Sequence, residues 1–425
     1  MSKCLKLLLS GFIAILFYMM PSLTFAKEWP LQENVSVDKV WKVKFNQPVM
    51  KESVSHEFVQ VTDSKGNEHP VNLELSHSTL MVSPQVPYDK GQTYTLTING
   101  LQSVYAKPLK EKTVMRFTVS EKRTKEEILK KWEQYETTFE GDPYIEEPSI
   151  LLPYKTGKLH PQFIEDGVKM ANFMRYLAGL PDDLEEDQLL NENAQYGAVL
   201  LAKNDRLSHY PPKPEDMSEE FYQLGYQATR SSNLSSSRST LEETVISYMQ
   251  DFGDSNLESV GHRRWILNPQ LKKIGFGYYN QYSAMKVFDR SREERIDYDY
   301  IPWPSEGYFP SELFLAQYYN YGSNPWNVTL NPDKYDNTRI EDIKVELRNQ
   351  NNKTEHWVFT HEDYAYGSSK FLKVDQRGYG VPYSIIFRPD QVEEYKKGHT
   401  YSVHITGLFT VSGEPDEISY EVSFF

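Results

Sequence analysis

The sequence predicts a multidomain protein with a central α+β domain held between two all-β sandwich modules. Three observations predict it. The chain has 425 residues, enough for about three domains of ordinary size. A fourteen-residue stretch near the N-terminus returns near the C-terminus. Between the two copies, from His160, apolar residues recur every three or four positions instead of every two.

The first 26 residues stand apart from these domains. Lys3 and Lys6 precede an apolar run from Leu7 to Met20, then Pro21 and the small-residue pattern Thr24-Phe25-Ala26. That order predicts a secretory signal peptide, residues 1–26, cleaved after Ala26. No second apolar run of membrane-spanning length follows, so the rest of the chain is expected outside the cytoplasm without a transmembrane segment. The single cysteine, Cys4, lies inside the signal, which excludes disulfides, cysteine-ligated zinc and cysteine nucleophiles from the mature chain. The formal charge of −14 argues against nucleic acid as a partner. The C-terminal run Ile418 to Phe425 alternates with no sorting or lipid motif behind it, so no covalent anchor is expected.

The two β modules are predicted at residues 33–120 and 325–425. Tyr88 to Leu101 and Tyr395 to Leu408 agree at eight of fourteen positions, among them a turn glycine, alternating apolar residues and a second glycine at the next turn. Each copy is followed by a further alternating strand, Val114 to Val119 and Ile418 to Phe424. Short alternating stretches at Val40 to Phe45 and Val71 to Leu75 complete the first module, and Ile343 to Leu347, Trp357 to Thr360 and Ser384 to Phe387 the second. Each module is expected to fold independently. Residues 121–159 read as a helical linker and 291–324 as a connector, in which Trp303 to Phe314 is a candidate shared interface.

The central domain, residues 160–290, opens with a helix carrying Phe163, Val168, Ala171, Met174 and Leu177 on one face and ending at Gly179. A second helix carries Leu189, Leu190, Ala194, Ala198 and Leu201. A third begins at a capping signal, Ser239 with Glu242. The run Val260 to Pro269 leads into strands at Ile274 to Tyr279 and Ala284 to Phe288.

This central segment resembles the CAP superfamily of cysteine-rich secretory, antigen 5 and pathogenesis-related proteins, in its bacterial form. The resemblance rests on Asn172-Phe-Met-Arg175 with Gly179-Leu180, on Leu207-Ser-His209, on Ser232-Asn-Leu234, and on Gly261 to Pro269 leading into Ile274-Gly-Phe-Gly277. It implies a three-layer α-β-α sandwich with a cleft marked by two histidines and two acidic residues. His209 and His262 match the histidine positions. The first glutamate slot, directly before an asparagine, holds Ser232 before Asn233. Asp251, with Asp254 behind it, is the candidate for the second acid. The flanking modules resemble bacterial Ig-like domains, with Val43 to Val49 matching the opening strand.

The candidate cleft is therefore His209, Ser232, Asn233, Asp251 and His262. Two imidazoles and one carboxylate define a possible weak metal site at His209 and His262, for a divalent cation such as zinc. The helical His-Glu-x-x-His spacing is absent; His56-Glu57 is followed by Gln60 where a second histidine is required. Against the cleft stand plain structural readings: His209 at a helix C-terminus beside free carbonyls, His262 fixing a loop, and Ser232 as one serine among several. Arg263 and Arg264 are expected to pair with local carboxylates and Trp265 to pack in the core. The sequons at Asn34, Asn233, Asn327 and Asn352 matter only in a glycosylating host. The functional expectation is a secreted, non-enzymatic module whose cleft binds a small ligand, a cation or an envelope component. The alternative is an extracellular hydrolase using the two histidines, and a third reading leaves the cleft vestigial.

Overall fold

The computed structural model describes residues 26–251, 256–315, 324–364 and 368–425. The predicted signal segment before Ala26, and Asp254, lie outside the described residues. The described residues up to Glu121, from Ala26, form one compact unit and those from Lys122 to Phe425 a second.

The first unit packs a five-stranded sheet, in the order Lys27–Val35, Thr113–Val119, Thr93–Ile98, Val59–Asp63 and Glu68–His69, with a three-stranded sheet of Trp41–Lys44, Thr79–Pro84 and Val71–Ser76. Strict alternation builds its core. In Thr93–Ile98 the buried residues are Tyr94, Leu96 and Ile98, and these join Trp41, Val59, Val61 and Phe117 in a core of its own.

The internal repeat proves to be a repeat of topology. In the second unit the strands Gly307–Phe309, Pro415–Phe424, Thr400–Phe409, Lys344–Asn349 and His356–Phe359 lie side by side in the same order as the five-stranded sheet of the first. In each sheet the outermost strand pairs in parallel with the last strand of its module, Lys27–Val35 with Thr113–Val119 and Gly307–Phe309 with Pro415–Phe424. The repeated glycines serve one purpose in both copies. Gly100 and Gly407 have φ of +71° and +76°, and a Cβ on Gly407 would stand 1.9 Å from the Asp342 carbonyl oxygen.

This register shows why the segment expected to be a connector is structured. Tyr300–Trp303 pairs with Trp326–Leu330 at the edge of the second C-terminal sheet, and Gly307–Phe309 supplies the outer strand of the first. Trp303 and Phe309 are fully buried. Nor does the C-terminal region form a separate body. Its core residues Val345, Ile385 and Tyr401 belong to one continuous cluster with Phe173, Tyr248 and Phe276 of the central domain.

The central domain is three-layered. Helices α1 (Lys125–Gln134), α2 (Pro161–Leu177), α3 (Gln188–Asn204), α4 (Glu219–Arg230), α5 (Leu241–Gln250) and α6 (Gly261–Ile266) accompany a sheet ordered Glu185–Glu186, Lys273–Tyr279, Tyr282–Lys286, Ser232–Ser235. Along Lys273–Tyr279 the side chains of Ile274, Phe276 and Tyr278 join the cluster that contains α2 and α5. The opposite face presents Gly275 and Gly277 to α3. A Cβ on Gly277 would lie 2.2 Å from the Ala194 carbonyl carbon, so the helix seats directly on strand backbone. Where the short strand Glu185–Glu186 ends, α3 takes over its bonding: Asn191 Oδ1 accepts from Phe276 N at 2.7 Å and Gln195 Oε1 from Tyr278 N at 2.8 Å. Gly277→Ala is expected to destabilise this unit by about 1–3 kcal/mol, the usual range for overpacking. Denaturant unfolding reads it, and an unchanged midpoint would show that α3 can lift away freely.

One helix boundary and one whole helix differ from the sequence reading. The cap of α5 is Thr240, whose hydroxyl accepts from Glu243 N at 3.1 Å, one residue later than the expected Ser239. Helix α4 was not expected at all. Its marks are a Ser218 cap, Glu219 and Glu220 in the first turn, and a buried face of Gly225, Ala228 and Thr229, which is too small-sided to read as an apolar stripe.

Candidate functional site

The site forms where α4, α5 and α6 converge on the strand Ser232–Ser235. The last residues of α4 leave carbonyls without intrahelical partners, and side chains satisfy them in turn. Ser231 Oγ donates to Gln227 O at 2.8 Å, Ser232 Oγ to Ala228 O at 2.8 Å, and His209 Nδ1 bonds Thr229 O at 2.7 Å. His209 thus meets free helical carbonyls as expected, but those of α4; its own helix has already ended at Asn204, capped by left-handed Asp205.

His262 is the second residue of α6. The left-handed C-cap of α5, Asp251, turns its carboxylate onto the start of α6. Oδ1 bonds His262 Nδ1 at 2.8 Å and Oδ2 accepts from Arg263 N at 3.2 Å. Asp251 is 1 % exposed, while the His262 ring stays partly open and lies against Tyr248 at 5.2 Å between centroids. Asn233 locks the corner from the sheet side: Nδ2 donates to His262 O at 3.0 Å, and Tyr248 Oη donates to Asn233 O at 3.0 Å.

The structure therefore brings Asn233, Asp251 and His262 into one bonded group. His209 lies near enough for the His262 charge to act on it. Desolvation holds the His209 imidazole below its ordinary pKa, although the residue as a whole is exposed; the Thr229 carbonyl opposes that shift and His262 adds to it. Ser232 is buried and committed to Ala228 O, with no bond to either imidazole among the described residues. Those residues include no group of three or more His, Cys, Asp or Glu placed to hold a metal ion.

Sequence reasoning missed Lys286. It stands across the sheet from Ser232, its Nζ bonds Ser231 Oγ, and burial pushes its ammonium below the ordinary pKa. Only the strand register places it here, since 55 residues separate it from Ser231.

The arginine expectations need correction. Arg263 pairs with no carboxylate through its guanidinium among the described residues; it donates to Met249 O, Pro325 O and Asn327 Oδ1. Arg264 pairs with Asp375, 111 residues away, and also reaches Ser259 O and Val381 O. Both arginines bolt α6 to the C-terminal sheets. Trp265 is only partly buried and stacks on Phe288 at 4.0 Å. Arg175 is a third buried tie, donating from Nη1 to Ile266 O and Asn268 O. The sequon residues Asn233 and Asn327 are buried, so neither is open to a glycan.

A three-layer α-β-α domain that follows one β-rich module in the chain and precedes another defines the class of protein. Residues 168–288 match the Cysteine-rich secretory protein family, CAP, and residues 23–119 match the Bacterial Ig-like domain. The chain thus carries an N-terminal Ig-like domain, a central CAP domain and a further β-rich region after it. No curated protein matches the sequence. Among solved structures, it is similar to an extracellular protein containing an SCP domain from Bacillus anthracis str. Ames, at 16% identity over 52% of this chain and 68% of that one, with a TM-score of 0.24. The N-terminal part of the bacterial S-layer protein SbsC matches at 21% identity and a TM-score of 0.19 over 23% of this chain, which spans about a quarter, 24%, of that one. Domains 1–6 of surface layer protein SbsC match at 11% identity over 94% of this chain and 54% of that one, with a TM-score of 0.20. Likenesses this low transfer nothing to this chain. No helix among the described residues is long and apolar enough to cross a membrane.

Proposed function

We propose that this chain is an extracellular, non-enzymatic binding protein whose CAP cleft takes a small ligand or a cation. The secretory pattern of residues 1–26 supports the location. The observation that carries the binding reading is the state of the two imidazoles. His262 Nδ1 faces a carboxylate and His209 Nδ1 a carbonyl, both of which only accept. Each neutral ring therefore keeps its proton on Nδ1 and a lone pair on Nε2. Neither Nε2 has a protein partner among the described residues. Two such lone pairs accept from hydroxyl or amine donors, or supply two ligands to a divalent ion such as zinc, fewer than the three protein ligands of a tight site.

The rival reading is a hydrolase. The Asp251–His262 bond favours it, because a carboxylate orienting an imidazole is the supporting half of a base-assisted site. The nearby serine weighs against it, since Ser232 is turned to the end of α4.

Calorimetric zinc titration of residues 27–425 tests the cleft. One weak site is expected, lost in His209→Ala and in His262→Ala alike. Its affinity should fall on acidification, as imidazole lone pairs take up protons, with His209 keeping its lone pair to lower pH than an ordinary imidazole because desolvation disfavours its charged form. Zinc binding indifferent to both substitutions would overturn the reading, and an ester- or peptide-cleaving activity that disappears with His262→Ala would replace it with the hydrolase.

A further inference from the structure

Within the N-terminal unit an open groove of about 690 Å³ lies between the start of strand Lys27–Val35, the end of Trp41–Lys44 and the chain around 101–111. Lys27, Lys44, Lys107 and Lys110 line it, and Glu111 is the acidic residue among them. None of the four lysines forms an ion pair with a carboxylate among the described residues. All four are exposed. Residues 27–121 hold eleven basic and eleven acidic side chains, in a chain whose formal charge is −14. The groove is therefore a local gathering of cations and does not reflect general basicity. Like charges around one concavity repel one another and concentrate anions from solution.

The remaining lining says what kind of anion fits. Trp29, Phe45 and Leu109 pack against the core of the unit and turn their remaining surface to the groove. Asn46 and Gln102 add amide donors and acceptors at its side. Apolar ring faces suit the C–H face of a sugar, amides suit its hydroxyls, and ammonium groups suit a carboxylate or phosphate carried on it. The acidic remainder of the protein disfavours densely charged polymers such as nucleic acid, with one phosphate every 3.4 Å or so along a strand. A polysaccharide with about one charge per sugar meets the same lysines with less repulsion.

We propose that this groove is a binding site for an anionic polysaccharide, held by Lys27, Lys44, Lys107 and Lys110 around the face of Trp29 and Phe45. The site is separate from the histidine cleft and stands whether or not the cleft binds anything.

The test titrates residues 27–425 with polygalacturonate oligomers, which carry one carboxylate per sugar, and with neutral dextran of similar length. Binding is expected for the first, weakening steeply with salt, and none for dextran. Changing all four lysines to glutamine should weaken binding about threefold per lysine and so roughly 80-fold together, the worth of exposed charge pairs. Trp29→Ala should weaken polygalacturonate binding as well. Because the lysines are exposed, an unchanged circular dichroism spectrum and melting temperature are expected for the quadruple variant. His209→Ala and His262→Ala should leave this binding as it is, which separates the site from the cleft. The proposal is overturned if polygalacturonate does not bind, if the quadruple variant binds as well as the parent, or if polyglutamate, single-stranded DNA or anionic phospholipid vesicles bind equally tightly.

Discussion

Arg264→Ala is expected to destabilise residues 122–425 by about 3–5 kcal/mol, the cost of leaving a buried ion pair without one partner. The side chains of Arg264 and Asp375 are 1 % and 4 % exposed, so no water replaces the lost guanidinium at low cost. Ser259 O, Arg377 O and Val381 O lose their donors at the same time. Arg377 also touches Asp375, yet its own side chain is 53 % exposed, and Arg377→Ala should cost less than about 1 kcal/mol. The contrast between two arginines on one carboxylate isolates burial as the cause. The double variant Arg264→Met with Asp375→Leu should recover much of the loss, because it removes both charges from the interior. Urea unfolding of the four proteins decides it; equal effects for Arg264→Ala and Arg377→Ala would show that the pair is solvated.

Residues 325–425 expressed alone are expected to give an expanded, aggregating chain, whereas residues 122–425 fold cooperatively. Cutting at 325 removes the edge strand Tyr300–Trp303 and the parallel strand Gly307–Phe309. It takes away Trp303, Phe309 and Phe314, each 1 % exposed or less, at about 1.5–3 kcal/mol apiece for a large apolar side chain. Arg263, Arg264 and the small cluster of Leu257 and Val260 with Phe371 and Ile386 go as well. Losses of that size exhaust the 5–15 kcal/mol that a whole domain commands. Residues 27–121, which own their core, should fold alone. Near-ultraviolet circular dichroism and dispersion of amide proton resonances separate the outcomes, and a well-dispersed spectrum from 325–425 would refute the shared-core account.

The candidate site was legible in part. His209, His262 and the Ser232-Asn233 pair stand out because they sit in short runs of distinctive residues. What each one touches did not stand out. Asp251 reaches His262 only because this residue, which caps the C-terminus of α5, is left-handed and swings its carboxylate onto the next helix. His209 reaches Thr229 on α4, a helix whose buried face is made of glycine, alanine and threonine and so carries little apolar signal. The buried arginines were read as partners of nearby acids, since sequence neighbours are the only ones a linear reading can supply. Their real acceptors are mostly backbone carbonyls, which every residue possesses and no side-chain pattern reveals.

By itself the sequence determined the elements whose cause is local. Spacing of two, and of three to four, is set by strand and helix geometry, and the glycines stand out because the left-handed backbone penalises any side chain, at the bend after a strand for Gly100 and at a bulge inside the strand Thr400–Phe409 for Gly407. The repeat showed that two modules share a plan, and four motifs in order identified the domain between them. Tertiary structure alone decided where the last module begins and what it leans on. The repeat and the alternating run after it cover two adjacent strands, but the strand that completes their sheet, Gly307–Phe309, is three residues long and has no period to read. The union of the central domain with the C-terminal sheets rests on Arg264 meeting Asp375 and Arg263 meeting Asn327 across 111 and 64 residues. Such contacts are selected by the summed packing of the whole unit, and each exists only once the surfaces on both sides have formed.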